Sequence, residues 1–282
     1  MSTFTAAEQG RGYLDLMKLR VVELLLVTTV PALVLAEGKL PGLVVTAASI
    51  IGGTLAAGAA NAYNMIIESD IDKLMARTSK RPLVTGVLNK VQATIFATIV
   101  AILSLVIFWV FTTPLATLLT LIAIVFYVVV YTMGLKRRTA QNIVWGGAAG
   151  CMPVFIGWAA VTNSLSWTAV AFFMVIFFWT PPHFWALALW KKINADYSNA
   201  GVPMLPVVAG PDETRRQILL YTLLLVPVTL LPALTGTVGW LYLVANIGLG
   251  VMFIWHAWRV YRIREGQEAE AACKKLFGFS TI

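Results

Sequence analysis

The sequence predicts an all-α membrane protein, a polytopic bundle of eight transmembrane helices. Hydrophobic residues make up 59% of the 282-residue chain and charged residues only 12%, whereas soluble domains are about half apolar and about a quarter charged. Apolar runs of about 20 residues, the length that crosses a bilayer, recur along the whole chain. Basic residues are confined almost entirely to alternate loops, which is the charge pattern of a multi-pass protein.

The eight apolar segments each end at polar or charged residues. They cover residues 21–36, 40–67, 91–111, 115–133, 143–161, 167–190, 218–235 and 238–258. The loops at residues 37–39, 112–114, 162–166 and 235–237 are too short to fold as domains, whereas the intervening loops are longer and hold most of the acids. The second segment is long enough to project beyond the hydrocarbon layer. Function is therefore expected on the side of the longer loops.

The net charge of +8 is sorted by loop. Of the 21 Lys and Arg residues, 20 fall in residues 11–20, 73–90, 136–138, 191–216 and 259–275, and only Lys39 lies in a loop of the opposite side. By the positive-inside rule the basic side is cytoplasmic, with both chain ends on that side. This sorting argues against a nucleic-acid surface, and the N-terminal residues lack the pattern of a removable signal peptide.

The two cysteines are expected to be free thiols. Cys151 lies inside the fifth apolar segment and Cys273 lies in the cytoplasmic tail, so a disulfide between them does not fit the topology or the redox compartment.

A faint internal repeat indicates how the helices are arranged within one membrane domain, residues 1–282. Asp72 and Asp196 are each followed ten residues later by Pro-x-Val-x-Gly, in residues 82–86 and 206–210, at an offset of 124 residues. Four helices separate the copies, so the halves, about residues 16–138 and 139–264, are expected to be parallel. The predicted architecture is two parallel four-helix halves around a central cavity.

Asn64, Glu68 and Asp72 give the strongest functional signal because they are spaced four residues apart at the end of the second apolar segment. At about 100° per residue, positions i, i+4 and i+8 of a helix drift by only about 80°, so the three side chains share one face. Oxygen ligands suit Mg²⁺, which completes its shell with water and phosphate oxygens. The cations of a diphosphate site follow just downstream as Lys73, Arg77, Lys80 and Arg81. The other interpretation is a polar cap on the helix end; Asp70, about 240° around from Asn64, is expected to be solvated.

A transporter is the alternative from a different class. Secondary transporters place their binding groups near the bilayer midplane on interrupted helices. In this chain the acids lie at helix ends, and the ionisable candidates within the helices are Glu23, His183 and His256. The distribution of acids therefore favours an enzyme of Mg²⁺ and diphosphate chemistry at the membrane surface.

Four stretches carry a resemblance to a known family. They are residues 61–72, Asn-Ala-Tyr-Asn-Met-Ile-Ile-Glu-Ser-Asp-Ile-Asp, with Arg-Thr-Ser-Lys-Arg-Pro-Leu at 77–83; Tyr-Thr-Met-Gly-Leu-Lys-Arg-Arg-Thr at 131–139; Trp-Thr-Pro-Pro-His-Phe-Trp at 179–185; and the segment from Asp196 to Pro206. The first resembles the motif of the UbiA-type intramembrane prenyltransferases. Glu68 in its middle, together with the other stretches, is similar to the protohaem IX farnesyltransferase (haem O synthase) branch, from about residue 16 to residue 277.

The resemblance implies transfer of the farnesyl group of farnesyl diphosphate to a vinyl group of haem B, with addition of water. It implies that Mg²⁺ is held by Asn64, Glu68 and Asp72, that Asp196 serves a second metal ion, and that Tyr131 lies near the diphosphate. It also implies phosphate contacts from the basic residues Arg77, Lys80, Arg81, Lys136 and Arg137. The corresponding setting is a bacterial cell inner membrane with a cytoplasmic active site, and a haem-processing enzyme or terminal oxidase assembly is the implied downstream partner.

The number of helices departs from the family pattern, and the acceptor of the prenyl group stays open. The family is expected to have nine membrane helices, the last beginning near residues 274–282, where this chain ends. Prenyl transfer to a quinone-ring precursor is the alternative reaction, which Glu68 and the stretch at residues 179–185 disfavour.

His183 has two interpretations. It follows Pro181 and Pro182, where a kinked membrane helix can line a cavity, and it is a candidate ligand of haem iron or a base toward water. The other interpretation is a buried histidine bonded to a neighbour. Aromatic residues of the fifth and sixth segments are candidates to stabilise an allylic cation, although most are expected to pack against lipid or other helices.

Overall fold

The computed structural model describes residues 4–281, and these residues form helices and connecting turns without any β-strand. The first part of the chain contains α1 (Ala6–Met17), α2 (Leu19–Glu37), α3 (Leu43–Ile67), a 3₁₀ helix (Ile71–Leu74), α4 (Pro82–Thr85), α5 (Lys90–Phe111) and α6 (Pro114–Val125), which continues as a π-helix (Phe126–Leu135). The second part contains α7 (Asn142–Thr162), α8 (Trp167–Ala188), α9 (Lys191–Asn199), α10 (Leu205–Val208), α11 (Gly210–Val228), α12 (Leu231–Leu234), α13 (Trp240–Arg262) and α14 (Gly266–Phe279). The predicted all-α class is confirmed.

Seven helices among the described residues are long and apolar enough to cross a membrane. An eighth span results if Ala6–Glu23 and Leu25–Glu37, bent by 51°, are counted together. The predicted number of eight therefore agrees with the structure when this bent pair forms one span. The fourth predicted segment is one continuous span, Pro114–Leu135, whose last ten residues adopt the wider π-helical turn.

Helix ends follow from local sequence. Thr5 and Glu8 form a capping box at the start of α1, and Asn89 and Gln92 form another at the start of α5. In each box the first side chain accepts from a backbone N–H and the second accepts from the N-cap backbone, which satisfies two donors that the helix leaves open.

The chain folds into two compact units. The first comprises Met1–Gly134 and Met152–Leu165, and the second comprises Leu135–Cys151 and Ser166–Ile282. The boundary that the repeat predicts between halves lies near residue 138, whereas in the structure α7 contributes its first part to the second unit and its last part to the first unit.

In the first unit, α5 shows how a membrane helix divides its surface. Its buried positions, Ala93, Ala97, Val100, Ser104 and Phe108, recur every three or four residues, as one face of a helix requires. Its exposed positions include Ile95, Ile99, Ile102, Val106 and Trp109. These large apolar side chains suit lipid rather than water, which agrees with a multi-pass integral membrane protein.

The internal repeat is matched by similar local conformations in the two units. In the first, Pro82 begins α4 and Gly86 ends it with φ 82°. In the second, Pro206 lies in the first turn of α10 and Gly210 follows with φ 83°. Proline presets the first helical turn, and glycine accepts the left-handed conformation at no steric cost.

Both cysteines are free, as the sequence predicts, and both are buried, Cys273 included although it lies outside the predicted membrane segments.

Candidate active site

The C-terminal end of α3 carries polar side chains that are almost fully buried. Asn64, Glu68 and Asp72 are each 1% exposed. The helix ends at Ile67, Glu68 is its C-cap, and Asp72 lies in the following 3₁₀ helix, so the single continuous helix expected through Asp72 is not formed. The backbone nevertheless keeps helix-type hydrogen bonds between these three residues. The N–H of Glu68 donates to the Asn64 carbonyl and the N–H of Asp72 donates to the Glu68 carbonyl, both at 2.9 Å.

Asp72 uses its two carboxylate oxygens differently. Oδ2 accepts a hydrogen bond from Nη1 of Arg81. Oδ1 is enclosed, and none of the residues that the structure describes donates a hydrogen bond to it. Enclosing a charged oxygen without a donor is costly. A divalent cation would remove this cost, so the geometry of Asp72 fits an Mg²⁺ ligand.

The loop behind Asp72 is fixed by its own backbone. Thr78, which is 2% exposed, donates from Oγ1 to the Asp72 carbonyl at 2.8 Å. The N–H of Arg81 donates to the Thr78 carbonyl at 3.0 Å. These two bonds return the chain toward Asp72 and thereby bring the guanidinium of Arg81 to its carboxylate.

Asn64 is held by two residues that are distant in sequence. Its Oδ1 accepts from Nζ of Lys18, and its Nδ2 donates to Oγ1 of Thr132, both at 3.2 Å. The Thr132 hydroxyl donates in turn to the Tyr127 carbonyl, five residues earlier, at 2.8 Å. Thr132 is therefore placed by the π-helix, a distortion that is frequent at functional sites.

Lys18 and Thr132 are site residues that the sequence does not predict. Lys18 joins α1 to α2 with φ 51°, a left-handed conformation that a residue with a side chain rarely adopts without a compensating contact. The sequence offers no local signal for this conformation. Thr132 lies inside the stretch at residues 131–139, where the family pattern marks only Tyr131 and the cations.

The predicted diphosphate-binding residues of the first unit differ in exposure. Lys73, Arg77 and Lys80 are exposed, whereas Arg81 is turned inward against Asp72. Tyr131 is half-buried in the π-helix, and its ring centroid lies 5.3 Å from that of Tyr127. Asp70 is exposed, as the sequence predicts.

The second unit contains the other predicted residues. Asp196 is buried on α9, with 8% of its surface exposed. Lys136 is half-buried and Arg137 is exposed in the segment that precedes α7. The amide of Asn142 at the start of α7 donates to the Pro203 carbonyl at 3.3 Å, which ties the loop after α9 to this helix.

Carboxylates of the described residues do not gather into a larger metal cluster. No group of three or more His, Cys, Asp or Glu side chains within the described range has a metal-binding arrangement. Asn64 is not of these types, so the motif at the end of α3 contributes only two carboxylates. This small number suits Mg²⁺, which is commonly bound through one or two carboxylates and substrate phosphates.

His183 lies in the second unit and is 5% exposed. Its ring stacks on those of Trp179 and Phe277, and its Nδ1 lies 2.6 Å from Oγ of Ser280. These contacts are the packing that the second interpretation of His183 describes, and they also fix the orientation of the ring.

The fold and this site define a class, the multi-pass membrane proteins with a buried acidic motif at a helix end. The model of the UbiA prenyltransferase family matches residues 25–281, and the chain belongs to this family. It is therefore a prenyltransferase of the UbiA type.

A curated relative agrees with this membership, and solved structures share the fold. A protoheme IX farnesyltransferase of Streptomyces coelicolor is 51% identical over 266 residues, which cover 94% of this chain and 83% of that protein. A solved structure described as digeranylgeranylglyceryl phosphate synthase in membranes has a TM-score of 0.78 at 18% identity and covers 97% of this chain and 94% of its own. A UbiA homologue from Archaeoglobus fulgidus bound to GPP and Mg²⁺ has a TM-score of 0.73 at 17% identity and covers 96% and 95%.

Proposed function

We propose that this enzyme transfers the farnesyl group of farnesyl diphosphate to a vinyl group of haem B and adds water, which gives the hydroxyethylfarnesyl side chain of haem O. Binding of the diphosphate substrate is supported by the buried motif of Asn64, Glu68 and Asp72, with its enclosed Asp72 oxygen. The acceptor is inferred from the Streptomyces coelicolor relative, which is named a protoheme IX farnesyltransferase at 51% identity.

In this proposal Asn64, Glu68 and Asp72 hold Mg²⁺, as the Mg²⁺ in the homologue bound to GPP also favours. When bound, the ion would neutralise charge that develops on the diphosphate as the allylic carbon–oxygen bond breaks. The exposed cations Arg77 and Lys80 attract the diphosphate. Arg81 is paired with Asp72. When the diphosphate binds, some of the guanidinium N–H groups of Arg81 are expected to donate to phosphate oxygens, because the planar guanidinium can form two parallel hydrogen bonds to a phosphate.

The chemical step balances as an electrophilic addition. Diphosphate leaves with the electron pair of the carbon–oxygen bond, and the allylic cation takes the π electrons of the haem vinyl group to form a carbon–carbon bond. The cation left beside the porphyrin ring is captured by water, which loses a proton. This order requires that water be kept away until the carbon–carbon bond is made.

Asp196, Lys136, Arg137 and Tyr131 receive their proposed roles from the family motifs: Asp196 as the ligand of a second metal ion, the two cations and Tyr131 toward the diphosphate. We further propose a bacterial inner membrane with the acidic loops facing the cytoplasm, as the distribution of Lys and Arg indicates. A haem-processing enzyme or a terminal oxidase assembly would take the product.

The test is an assay with a choice of acceptors. Membranes containing the protein are incubated with farnesyl diphosphate, Mg²⁺ and either haem B or an aromatic quinone-ring precursor, and the products are identified by mass. The expected result is a hydroxyethylfarnesyl porphyrin that disappears when EDTA is added. Prenylation of the aromatic ring alone would overturn the assignment of haem as acceptor. Solute uptake without any prenylated product would overturn the proposal that the protein acts as a prenyltransferase on these substrates.

A further inference from the structure

The C-terminal helix α14 ends against His183 of α8, within the second unit. The His183 ring lies between the Trp179 ring, at 4.4 Å between centroids and 20° between planes, and the Phe277 ring, at 4.5 Å and 24°. Stacking on both faces holds the plane of the imidazole. The contact of Nδ1 with Ser280 then sets which edge of the ring carries which nitrogen.

Ser280 determines which of these nitrogens carries hydrogen. Its Oγ lies 2.6 Å from Nδ1 of His183 and 2.7 Å from the carbonyl oxygen of Phe277. The backbone N–H groups of Ser280 and Thr281 donate elsewhere, to the carbonyls of Leu276 and Gly278. Within the described residues, the Ser280 hydroxyl is thus the donor that satisfies the Phe277 carbonyl, which the end of a helix otherwise leaves open.

A hydroxyl has one hydrogen to donate. A carbonyl cannot donate, so both contacts are hydrogen bonds at once only when the Ser280 hydroxyl donates to the Phe277 carbonyl and accepts from Nδ1 of His183. In that arrangement Nδ1 carries the proton of the neutral ring. Nε2 then holds the lone pair, since the hydrogen bond of one imidazole nitrogen sets the state of the other. No hydrogen bond to Nε2 is formed by residues 4–281.

Ser280 is itself fixed in place. Nε1 of Trp179 donates to the Ser280 carbonyl at 2.9 Å. The same tryptophan therefore stacks on the imidazole and anchors the residue that orients it. This arrangement resembles the outer partners that orient metal-binding histidines.

We propose that Ser280 is a positioning residue for the haem reaction, because it holds His183 in the tautomer whose unprotonated Nε2 faces the haem substrate. The inference rests on the proposed function. Both roles considered for His183, ligation of iron and acceptance of a proton from water, need an unprotonated ring nitrogen, and Nε2 is the nitrogen that the structure leaves available.

The tautomer is measured directly by ¹⁵N NMR of histidine-labelled protein in lipid, with His256→Gln in the background so that His183 gives the only signal. The expected spectrum shows a protonated Nδ1 and an unprotonated Nε2. In Ser280→Ala the Nδ1–H population should fall, whereas Ser280→Thr should keep it. A wild-type ring protonated at Nε2 would overturn the proposal without the need for any variant.

Haem binding gives the second measurement. Haemin is titrated into the same lipid samples and followed by its Soret band, while farnesyl diphosphate affinity is measured separately. Ser280→Ala should weaken haemin binding about 10-fold, the lower end of the effect expected for an outer partner of a metal-binding histidine. Farnesyl diphosphate affinity should stay unchanged, and Ser280→Thr should restore haemin binding.

The matched control is Thr281→Ala. Thr281 is exposed, and its hydroxyl also donates to a helix carbonyl, that of Gly278, at 2.7 Å, without a contact to the imidazole. If Ser280→Ala and Thr281→Ala bind haemin equally well while the wild type still makes the farnesylated porphyrin, the inference is wrong and the function stands. If the wild type neither binds haemin nor makes that product, the proposed function fails instead.

Discussion

At the residue scale, charge is unevenly distributed within the buried motif. Asp72 has one oxygen paired with Arg81 and one enclosed oxygen that receives no hydrogen bond from residues 4–281. Asn64 contributes no charge and is oriented by Lys18 and Thr132. The two carboxylates therefore carry the negative charge that would attract a cation, and the asparagine contributes a fixed dipole.

Removing either carboxylate charge should slow turnover strongly while the fold is kept. Glu68→Gln and Asp72→Asn preserve side-chain size, but each removes charge needed to hold a cation, so we expect product formation to fall about 10²–10³-fold, the effect of losing one strong electrostatic contact to a transition state. Farnesyl transfer is measured at saturating Mg²⁺, with thermal unfolding in detergent as the check on folding. Asp70→Asn is the control because Asp70 is exposed two residues away; near-normal rates in both test variants would show that the metal is held elsewhere.

Lys18 combines a left-handed backbone with a contact to Asn64, and two substitutions separate these properties. Lys18→Gly and Lys18→Ala both remove the ammonium group, so both should reduce activity to a similar degree. The left-handed conformation costs an alanine about 1–2 kcal/mol that glycine does not incur, and the alanine variant should therefore unfold at the lower temperature. Equal stabilities would contradict the left-handed conformation at φ 51°.

Sequence reasoning finds the acids but not their partners. The spacing of Asn64, Glu68 and Asp72 is local information, and it survives even though the helix ends at Ile67. Lys18 and Thr132 lie 46 and 68 residues from Asn64. Contacts over such distances depend on the packing of helices, which one sequence without tertiary information does not specify.

At the element scale, the π-helix shows how a helix distortion serves the site. The segment from Leu115 to Met133 has only an apolar pattern, so the sequence predicts its membrane span but not the wider turn after Val125. This turn brings the Thr132 hydroxyl within 2.8 Å of the Tyr127 carbonyl and within 3.2 Å of Asn64. A regular span would satisfy its threonines within the helix only, as Thr120 does with Ala116.

This comparison gives a matched pair of variants. Thr132→Val and Thr120→Val each remove a fully buried hydroxyl at nearly constant volume. Only Thr132→Val leaves the Asn64 amide without its acceptor, a cost of about 1–3 kcal/mol, so only this variant should lose farnesyl diphosphate affinity. Thr132→Ser should restore it, and equal affinities in the two valine variants would show that Thr132 does not orient Asn64.

Close helix packing in the first unit depends on glycine at one position of α7. A Cβ on Gly157 would lie 2.8 Å from the Thr29 carbonyl oxygen of α2, which is backbone and has little freedom to move. We expect Gly157→Ala to destabilise the protein by about 1–3 kcal/mol, as overpacking does. Gly150 in the same helix has nothing within 4 Å of its Cβ position, so Gly150→Ala should be neutral or stabilise by up to about 1 kcal/mol. Thermal unfolding in detergent measures both, and equal losses would contradict the close approach.

At the scale of the whole molecule, the charge pattern determines which compartment the acidic loops face. The loop between α2 and α3 carries Lys39, whereas the segment between α3 and α5 carries four of the basic residues, and Lys90 follows as the first residue of α5. Because α3 is a candidate span between these loops, they are expected on opposite sides of the bilayer. The number of spans is predictable from apolar length, but the left-handed residue Lys18 that separates α1 from α2 is not.

Cysteine labelling tests this orientation with little background. The native Cys151 and Cys273 are buried, and burial raises the pKa of the Cys273 thiol to about 11. At neutral pH, well below that pKa, Cys273 is protonated and reacts slowly, because the thiolate is the nucleophile.

Lys39→Cys and Lys80→Cys introduce thiols at exposed positions. A membrane-impermeant maleimide applied to intact spheroplasts should label Lys39→Cys but not Lys80→Cys, and inverted vesicles should give the reverse. Labelling of Lys80→Cys from outside would place the acidic motif away from the cytoplasm, and the proposed orientation would then be wrong even if the chemistry were right.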